Sequence, residues 1–223
     1  MAKILTYTPN LKSQYLRLYN SMNVPLMRQI LEIKAVGDKI IKNKLRYELI
    51  GNRTGVPWYL IGLLHNAESG GNFSKHLHNG DPLTGRTINE PPGRPKFNPG
   101  NGSLPPSARN PYKFEESAID AINYMKAKNA AWQQVGNNYD IPAILYLMEA
   151  YNGFGYMNLR NPINTPYLWS YTDHYTKGKY VADRKYDPNA VSKQPGLAPV
   201  LEYILNTEKK KVGFKLPGWW PFF

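Results

Sequence analysis

The chain contains no cysteine among its 223 residues. This absence excludes disulfide bonds and thiolate metal ligands, so the fold does not depend on an oxidising compartment. No apolar run approaches the roughly 20 residues that cross a membrane, and the N-terminal residues lack the apolar core and cleavage site of a signal peptide. Internal repeats are also absent. We therefore expect one domain, 1–223, that is made without a signal peptide.

Acidic residues are scarce relative to basic ones. The 16 Asp and Glu face 28 Lys and Arg, which gives a formal net charge of +12. Such an excess favours an anionic partner: nucleic acid, an acidic membrane surface or a polyanionic cell wall. No zinc-finger spacing or RRM motif is present, so nucleic acid is not the expected partner. The 17 tyrosines, by contrast, are abundant and indicate a surface that contacts ligands.

Apolar residues recur at helical spacing over much of the chain, which predicts a predominantly α-helical α+β domain. Residues 11–50 form a helical scaffold in this interpretation. The segment after Thr54 and Pro57 starts a further helix, with Thr54 as its cap, and Gly70 ends it. Three more helices are expected over 114–135, 140–152 and 196–210.

The segments between the helices carry turn signals. Asn79-Gly80 and Asp81-Pro82 lie where the apolar period shortens, so a small β-hairpin is expected over 72–88. The Pro-rich loop at 89–113 is interpreted either as a functional flap or as a disordered segment. The basic and aromatic tail, 209–223, suits either a membrane interface or packing against the domain.

The segment HNAESGGNFSKHLHNGDPLTGRT, residues 65–87, contains two isolated carboxylates, Glu68 and Asp81. Glu68 ends an apolar helix, where burial and the negative pole of the helix dipole both disfavour its ionised form. We expect a raised pKa, as a general acid near neutral pH requires. Asp81 lies in a polar turn and should stay ionised, so the two form a candidate pair for glycoside hydrolysis. The competing interpretations are a surface glutamate at a frayed helix end and an aspartate that caps its own turn.

The order of these motifs resembles the lysozyme-like superfamily, which includes phage lysozymes, goose-type lysozymes and lytic transglycosylases. In transglycosylases an E-S dipeptide carries the catalytic glutamate, and a later A-Y-N-A-G motif lines the sugar cleft. Here E-S-G-G stands at 68–71 and A-Y-N-G-F-G at 150–155, with Gly153 in place of the second Ala. In phage lysozymes a catalytic Asp precedes a Thr by six positions. Asp81 and Thr87 reproduce that spacing, although the interval from Glu68 to Asp81 is longer than in that family.

Residues 56–189 also look like lysozyme-family or peptidoglycan-hydrolase domains, with HLHNGDPLT and PYLWSYTDHYTKGKYVAD as recognisable segments. The resemblance implies a lysozyme-like fold with a β-hairpin beside the catalytic helix. It further implies a muramidase that cleaves the β-1,4 bond between N-acetylmuramic acid and N-acetylglucosamine in peptidoglycan. The absence of a signal peptide then indicates a phage endolysin, made in the cytoplasm and active on the cell wall after release.

Two mechanisms follow from the resemblance. In the first, Glu68 protonates the leaving oxygen, and Asp81 deprotonates a water that Thr87 or Thr84 holds. In the second, Glu68 acts alone, as in lytic transglycosylases, and a muramic acid hydroxyl closes an anhydro ring. Chitin and chitosan share the β-1,4 backbone, so the bond type is better defined than the substrate.

Tyr151 and Asn152, at a helix end, suit a sugar ligand. The tyrosine ring can pack on pyranose C–H groups, and the amide can bond an N-acetyl group. The alternative is a buried Tyr with an Asn cap. His78 and Thr84, on either side of Asp81, are further candidates for substrate contact. Glu149 should project elsewhere, and a solvated helix face is expected for Glu115, Glu116 and Asp120.

A zinc amidase or peptidase is a rival of a different chemical class, with His65, His76 and His78 as ligands. Its weakness is that no H-E-x-x-H motif is present. A third class is a non-enzymatic module that binds the cell wall or nucleic acid through aromatic and basic residues. On the favoured interpretation we expect no metal and no cofactor, bacterial peptidoglycan as the partner, contact of the tail with anionic membranes, and a monomer.

Overall fold

A computed structural model describes residues 5–96, 112–182 and 185–213. Helices dominate these residues, with one two-stranded antiparallel sheet. The helices are α1 (Pro9–Ser21), α2 (Met27–Lys42), α3 (Lys44–Thr54), α4 (Trp58–Ser69), α5 (Phe114–Lys128), α6 (Ala130–Val135), α7 (Ile141–Asn152), α8 (Pro166–Trp169) and α9 (Leu197–Gly213); the strands are β1 (Lys179–Ala182) and β2 (Lys185–Asp187). The prediction of a predominantly helical fold with a small β-element is confirmed. None of the described helices is long and apolar enough to cross a membrane.

Helix α4 is packed on several sides and contacts α2, α3, α7 and α9. Its sequence, WYLIGLLHNAES, buries residues 60–65 without interruption. A helix that is apolar all round is typical of a core position. The same cluster of buried side chains extends from Leu11 in α1 to Ile204 in α9. Packing on several sides therefore fixes where the C-terminal end of α4 lies.

Local signals set the start of α7 and the end of α4. The side chain of Asp140 caps α7 by accepting a hydrogen bond from the Ala143 N–H at 3.0 Å. Gly70 ends α4 with a φ of 62°, a conformation that favours glycine, and its N–H donates to the Asn66 carbonyl at 2.9 Å. Glu68 is therefore the penultimate residue of α4.

The β-element lies elsewhere than expected. Residues 72–88 form turns around one isolated antiparallel bridge, between Lys75 and Pro82, so the predicted hairpin is reduced to that bridge. The bridge does not extend, because the Ser74 N–H donates to the Asn72 side chain and the Asp81 N–H donates to the Asn79 side chain. The two-stranded sheet forms instead from β1 and β2. Their four and three residues are too few to show the alternation of apolar and polar residues that is typical of a strand.

Two helix predictions also need correction. The helix expected over 114–135 is divided at Asn129, whose side chain caps α6 by accepting a hydrogen bond from the Ala131 N–H at 2.9 Å. Thr54 is the last residue of α3 and not the cap of α4, because its hydroxyl bonds back to the Ile50 carbonyl. The predictions for the Pro-rich loop beyond residue 96 and for the tail beyond residue 213 lie outside the described residues.

The close packing of α4 can be tested at Gly62. A methyl group there would lie 2.5 Å from Ile40 Cγ2 and 3.2 Å from the Tyr47 ring, and both side chains are buried. We expect Gly62→Ala to lower the free energy of unfolding by about 1–2 kcal/mol in urea titrations, because overpacking outweighs the better helix propensity of alanine. Gly85→Ala is the control, since its methyl would meet nothing within 4 Å. Equal stability of the two variants would contradict the packing.

Candidate functional site

A cleft of about 870 Å³ opens beside the C-terminal end of α4. Its walls come from the ends of α4 and α7, the first turn of α8, strand β1 and the segment before α9. Tyrosine rings and side-chain amides both line these walls. The tyrosines are Tyr156, Tyr167 and Tyr180, and the amides are Asn66, Asn152 and Gln194. Rings and amides together are the groups with which proteins contact sugars and other polar ligands.

Glu68 lies at the edge of this cleft. The lining contains its neighbours Ala67 and Gly70 and its hydrogen-bond donor Tyr167, although not Glu68 itself. The Tyr167 hydroxyl donates to Glu68 Oε1 at 3.3 Å. Burial raises the pKa of Glu68 to about 7, and the Tyr167 hydrogen bond acts in the opposite direction without cancelling it. A substantial fraction of this carboxyl is therefore protonated near neutral pH, in agreement with the expectation from the sequence.

Tyr151 and Asn152 differ in their positions. The Tyr151 hydroxyl donates to the Leu77 carbonyl at 2.6 Å, so it ties the end of α7 to the segment after α4. Burial, and secondarily the charge of Glu68, raise the pKa of Tyr151 well above its ordinary value. Asn152 is exposed and lines the cleft. Of the two predicted sugar contacts, the amide is presented to the cleft, whereas the Tyr151 hydroxyl is occupied within the protein.

Asp81 is saturated with hydrogen bonds from its own loop. Oδ2 accepts from the Ile88 N–H at 2.8 Å, the Asn89 N–H at 3.0 Å and the Asn79 amide at 3.0 Å. Oδ1 accepts from the Asn89 amide at 2.6 Å. Burial alone would raise the pKa of Asp81, but these hydrogen bonds outweigh it and lower the pKa below its ordinary value. Asp81 is thus an ionised carboxylate that organises residues 79–89, and its catalytic role stays a prediction.

Three other predicted residues lie outside the cleft lining. The Thr87 hydroxyl is buried; it donates to the Pro91 carbonyl at 2.5 Å and accepts from the Arg94 N–H at 2.9 Å. Thr84 is exposed. The His78 side chain is 1% exposed, with Nε2 at 2.9 Å from Asp120 Oδ2.

The Asp120 side chain is largely buried and makes polar contacts, whereas we expected it on a solvated helix face. It also accepts a hydrogen bond from Arg94 Nη2 at 2.7 Å. This carboxylate therefore joins α5 to two points of the preceding loop, at His78 and Arg94. Glu115 likewise forms an ion pair with Arg46 of α3, at 2.5 Å.

The three histidines that the zinc interpretation requires have separate partners. His65 Nδ1 lies 2.9 Å from the Tyr47 hydroxyl, and burial lowers the pKa of His65 to about 4. His76 lies between the Ser117 hydroxyl at 2.6 Å and the Gly85 carbonyl at 2.7 Å. Within residues 5–96, 112–182 and 185–213, no group of three or more His, Asp or Glu is close enough to hold a metal ion. The described residues thus contain no cluster that fits the zinc amidase.

Glu149 provides an instructive contrast with Glu68. It is 1% exposed, and the Tyr15 hydroxyl of α1 donates to its Oε2 at 2.7 Å. Burial raises its pKa to about 7, the same value as that of Glu68. Glu149 faces α1, as expected from its spacing to Tyr151, and is not part of the cleft lining. Glu68 and Glu149 thus share a raised pKa of about 7, but of these two Glu68 alone bonds a residue of the cleft wall.

Sequence reasoning missed the tyrosines that line the cleft: Tyr156, Tyr167 and Tyr180. Tyr167 bonds Glu68 across 99 positions of the chain. The abundance of tyrosine between 151 and 186 was the available signal, but abundance does not identify which rings share one wall.

Comparisons with protein-family models, with curated proteins and with solved structures find no match to this chain. The resemblance to the lysozyme-like superfamily therefore stays a prediction from the motifs.

The structural role of Asp81 can be tested with Asp81→Asn. The amide cannot accept all four hydrogen bonds of the loop, so we expect the free energy of unfolding at pH 7 to fall by about 1–3 kcal/mol. Because the folded-state pKa of Asp81 is lowered, its contribution is present at neutral pH and is lost as pH falls through that pKa. The difference between wild type and variant, measured by urea unfolding, should therefore shrink below about pH 4. A variant as stable as wild type at pH 7 would contradict this role.

Proposed function

We propose that this protein is a peptidoglycan glycosidase of the muramidase type, with Glu68 as the general acid. The observation that carries the proposal is the half-buried carboxyl of Glu68, whose pKa is raised to about 7 at the edge of a tyrosine-lined cleft. A carboxyl in this state keeps a proton near neutral pH and can give it to a departing oxygen. The lysozyme-like fold that the motifs imply is part of the same proposal.

The cleft offers groups suited to a polysaccharide chain. Tyr180 presents a half-buried ring on which a sugar C–H face can pack, with the buried Tyr156 behind it. Asn66, Asn152 and Gln194 supply amides for N-acetyl and hydroxyl groups. Its volume of about 870 Å³ is at the upper end of ordinary ligand pockets, as an extended substrate requires. The net charge of +12 would favour encounter with an anionic wall.

In the chemical step, Glu68 donates its proton to the glycosidic oxygen as the bond to the anomeric carbon breaks. In the hydrolytic route a water attacks the anomeric carbon and loses a proton to a base. Asp81 is the candidate base from the sequence, with Thr87 or Thr84 holding the water. This route requires an oxygen of Asp81 to be released from a loop in which both oxygens accept hydrogen bonds.

The saturation of Asp81 favours a second candidate, a lytic transglycosylase in which Glu68 acts alone. Glu68 would first protonate the leaving oxygen and then, as a carboxylate, accept the proton of the muramic acid hydroxyl that attacks the anomeric carbon. An anhydro ring forms and no water is consumed. A raised pKa suits both halves of this cycle, because the same carboxyl must donate and accept near neutral pH.

The biological setting is also part of the proposal. We infer an enzyme of the phage-endolysin type, made in the cytoplasm and acting on bacterial peptidoglycan after release, as a monomer and without a cofactor. Contact of the tail with an anionic membrane would assist that release. A binding module without catalysis would not require a protonated glutamate beside the cleft.

The proposal predicts that Glu68→Gln lowers the rate of peptidoglycan cleavage about 100- to 10,000-fold, because the amide has no proton to donate. Glu149→Gln is a matched control, since Glu149 has the same raised pKa of about 7 but faces α1. We expect it to retain activity. Product masses from purified peptidoglycan, with and without chelator, provide the measurement.

The products also separate the candidate mechanisms. New reducing ends indicate hydrolysis, whereas anhydro-muramyl ends indicate the transglycosylase route. Freed peptides that disappear with chelator would instead support the zinc amidase. Glycan cleavage that survives in Glu68→Gln, or its absence in wild type, would refute the proposal.

A further inference from the structure

Lys179 is the one charged residue among the described residues that line the cleft. It lies in β1 beside Tyr180, and no carboxylate belongs to the same lining. Tyr156 and Tyr180, which also line the cleft, pack edge to face, with ring centroids 5.1 Å apart. A single cation on a wall of rings and amides gives the cleft a local preference for a negative group.

The Lys179 ammonium forms no hydrogen bond or ion pair with the described part of the chain, although its backbone pairs with β2. Its cross-strand partner is Asp187 of β2, on the same face of the sheet, but the two side chains form no ion pair, and Asp187 Oδ1 accepts from the Asn189 N–H at 2.8 Å. Glu68 does not neutralise Lys179 either, because the pKa of Glu68 is set by burial and by Tyr167. Lys39, near the cleft residue Gly70, donates to the Gly70 carbonyl.

We propose that Lys179 forms a carboxylate-binding subsite that selects acidic glycans over neutral ones. This inference rests on the proposed function, which leaves the choice between peptidoglycan and chitin open. The two polymers share the β-1,4 backbone and the N-acetyl groups, so the tyrosines and amides of the cleft cannot separate them. Only the muramyl residue carries an acidic group, either on its lactyl substituent or on the stem peptide attached there.

A lysine is suited to this selection. Its ammonium is a compact charge on a flexible stem that can reach a carboxylate at several distances, and a hydrogen bond between the two charged groups is stronger than a neutral one. Lys179 is only partly exposed, so solvent screens the interaction less than at an open surface. A neutral N-acetylglucosamine unit in the same place would leave the ammonium unpaired.

The experiment measures binding of three saccharides by isothermal titration calorimetry. They are N-acetylglucosaminyl-N-acetylmuramic acid with a free lactyl carboxylate, the same disaccharide with a stem peptide on the lactyl group, and diacetylchitobiose. Wild type is compared with Lys179→Met and with Lys185→Met. Lys185 is the matched control because it is an exposed lysine of the same hairpin that does not line the cleft.

We expect wild type to bind at least one acidic saccharide more tightly than diacetylchitobiose. Lys179→Met should reduce this preference about tenfold or more, whereas Lys185→Met should retain it. Loss of preference for the free lactyl form alone identifies the lactyl carboxylate as the ligand, and loss for the peptide-bearing form alone identifies a stem carboxylate. A higher salt concentration should weaken the wild-type preference.

Two outcomes would overturn the subsite: a wild type without preference, or an equal preference in Lys179→Met and Lys185→Met. A loss of affinity for all three saccharides alike would do so too, since it indicates a structural role. Because binding is measured without turnover, these results do not depend on cleavage. Failure of the proposed function appears separately, as absence of glycan cleavage by wild type in the peptidoglycan digest.

Discussion

The proposed chemistry of this protein depends on the desolvation of one carboxyl group, that of Glu68. Helix α4 is packed against α2, α3, α7 and α9, and the left-handed Gly70 ends it one residue after Ser69. This arrangement leaves Glu68 in the last turn, half-buried beneath Tyr167 and next to an open cleft. Removing the carboxyl from water raises its pKa to about 7. The packing of the core thus creates the chemical property on which the proposed reaction depends.

Burial alone does not create a site, as Glu149 demonstrates. Both glutamates have a pKa of about 7, and each accepts a hydrogen bond from a tyrosine. Glu149 is enclosed between α7 and α1, where no substrate can reach it. Glu68 bonds a tyrosine that is itself part of the cleft wall. A candidate acid differs from a structural carboxyl because it combines a raised pKa with a position beside a cleft that a substrate can enter.

The loop after α4 supports this end of the helix through polar contacts. Asp81 accepts hydrogen bonds from the backbone N–H groups of residues 88 and 89, and the Tyr151 hydroxyl donates to the Leu77 carbonyl. A β-carbon on Gly80 would lie 3.0 Å from the Glu68 carbonyl oxygen, so the loop contacts the helix closely at that point. The carboxylate that resembles a second catalytic group therefore has a well-defined structural task.

The helices and Glu68 could be predicted from the sequence because their signals are local. The apolar run of α4 and its Gly70 stop identify a buried helix end, and a carboxyl placed there must be desolvated. These inferences required only neighbouring residues.

The remaining parts of the site depend on contacts between distant residues. Tyr167 contacts Glu68, which is 99 positions away in the sequence, and Asp120 contacts His78, which is 42 positions away. A charged residue at a helix start is usually solvated, and only the fold brings His78 and Arg94 to Asp120. Strands β1 and β2 are too short to show a period, so the wall that holds Lys179 and Tyr180 could not be anticipated.

The central claim, that Glu68 holds a proton near neutral pH, is tested most directly by titration of its side-chain carboxyl carbon in NMR spectra. The resonance can be assigned with Glu68→Gln. A midpoint near pH 7 in wild type is the predicted result. Tyr167→Phe should raise the midpoint, because it removes a hydrogen bond that lowers the pKa of Glu68 in wild type. Tyr203→Phe, on the surface of α9, should leave it unchanged. A wild-type midpoint at the ordinary value of 4.5 would contradict the account.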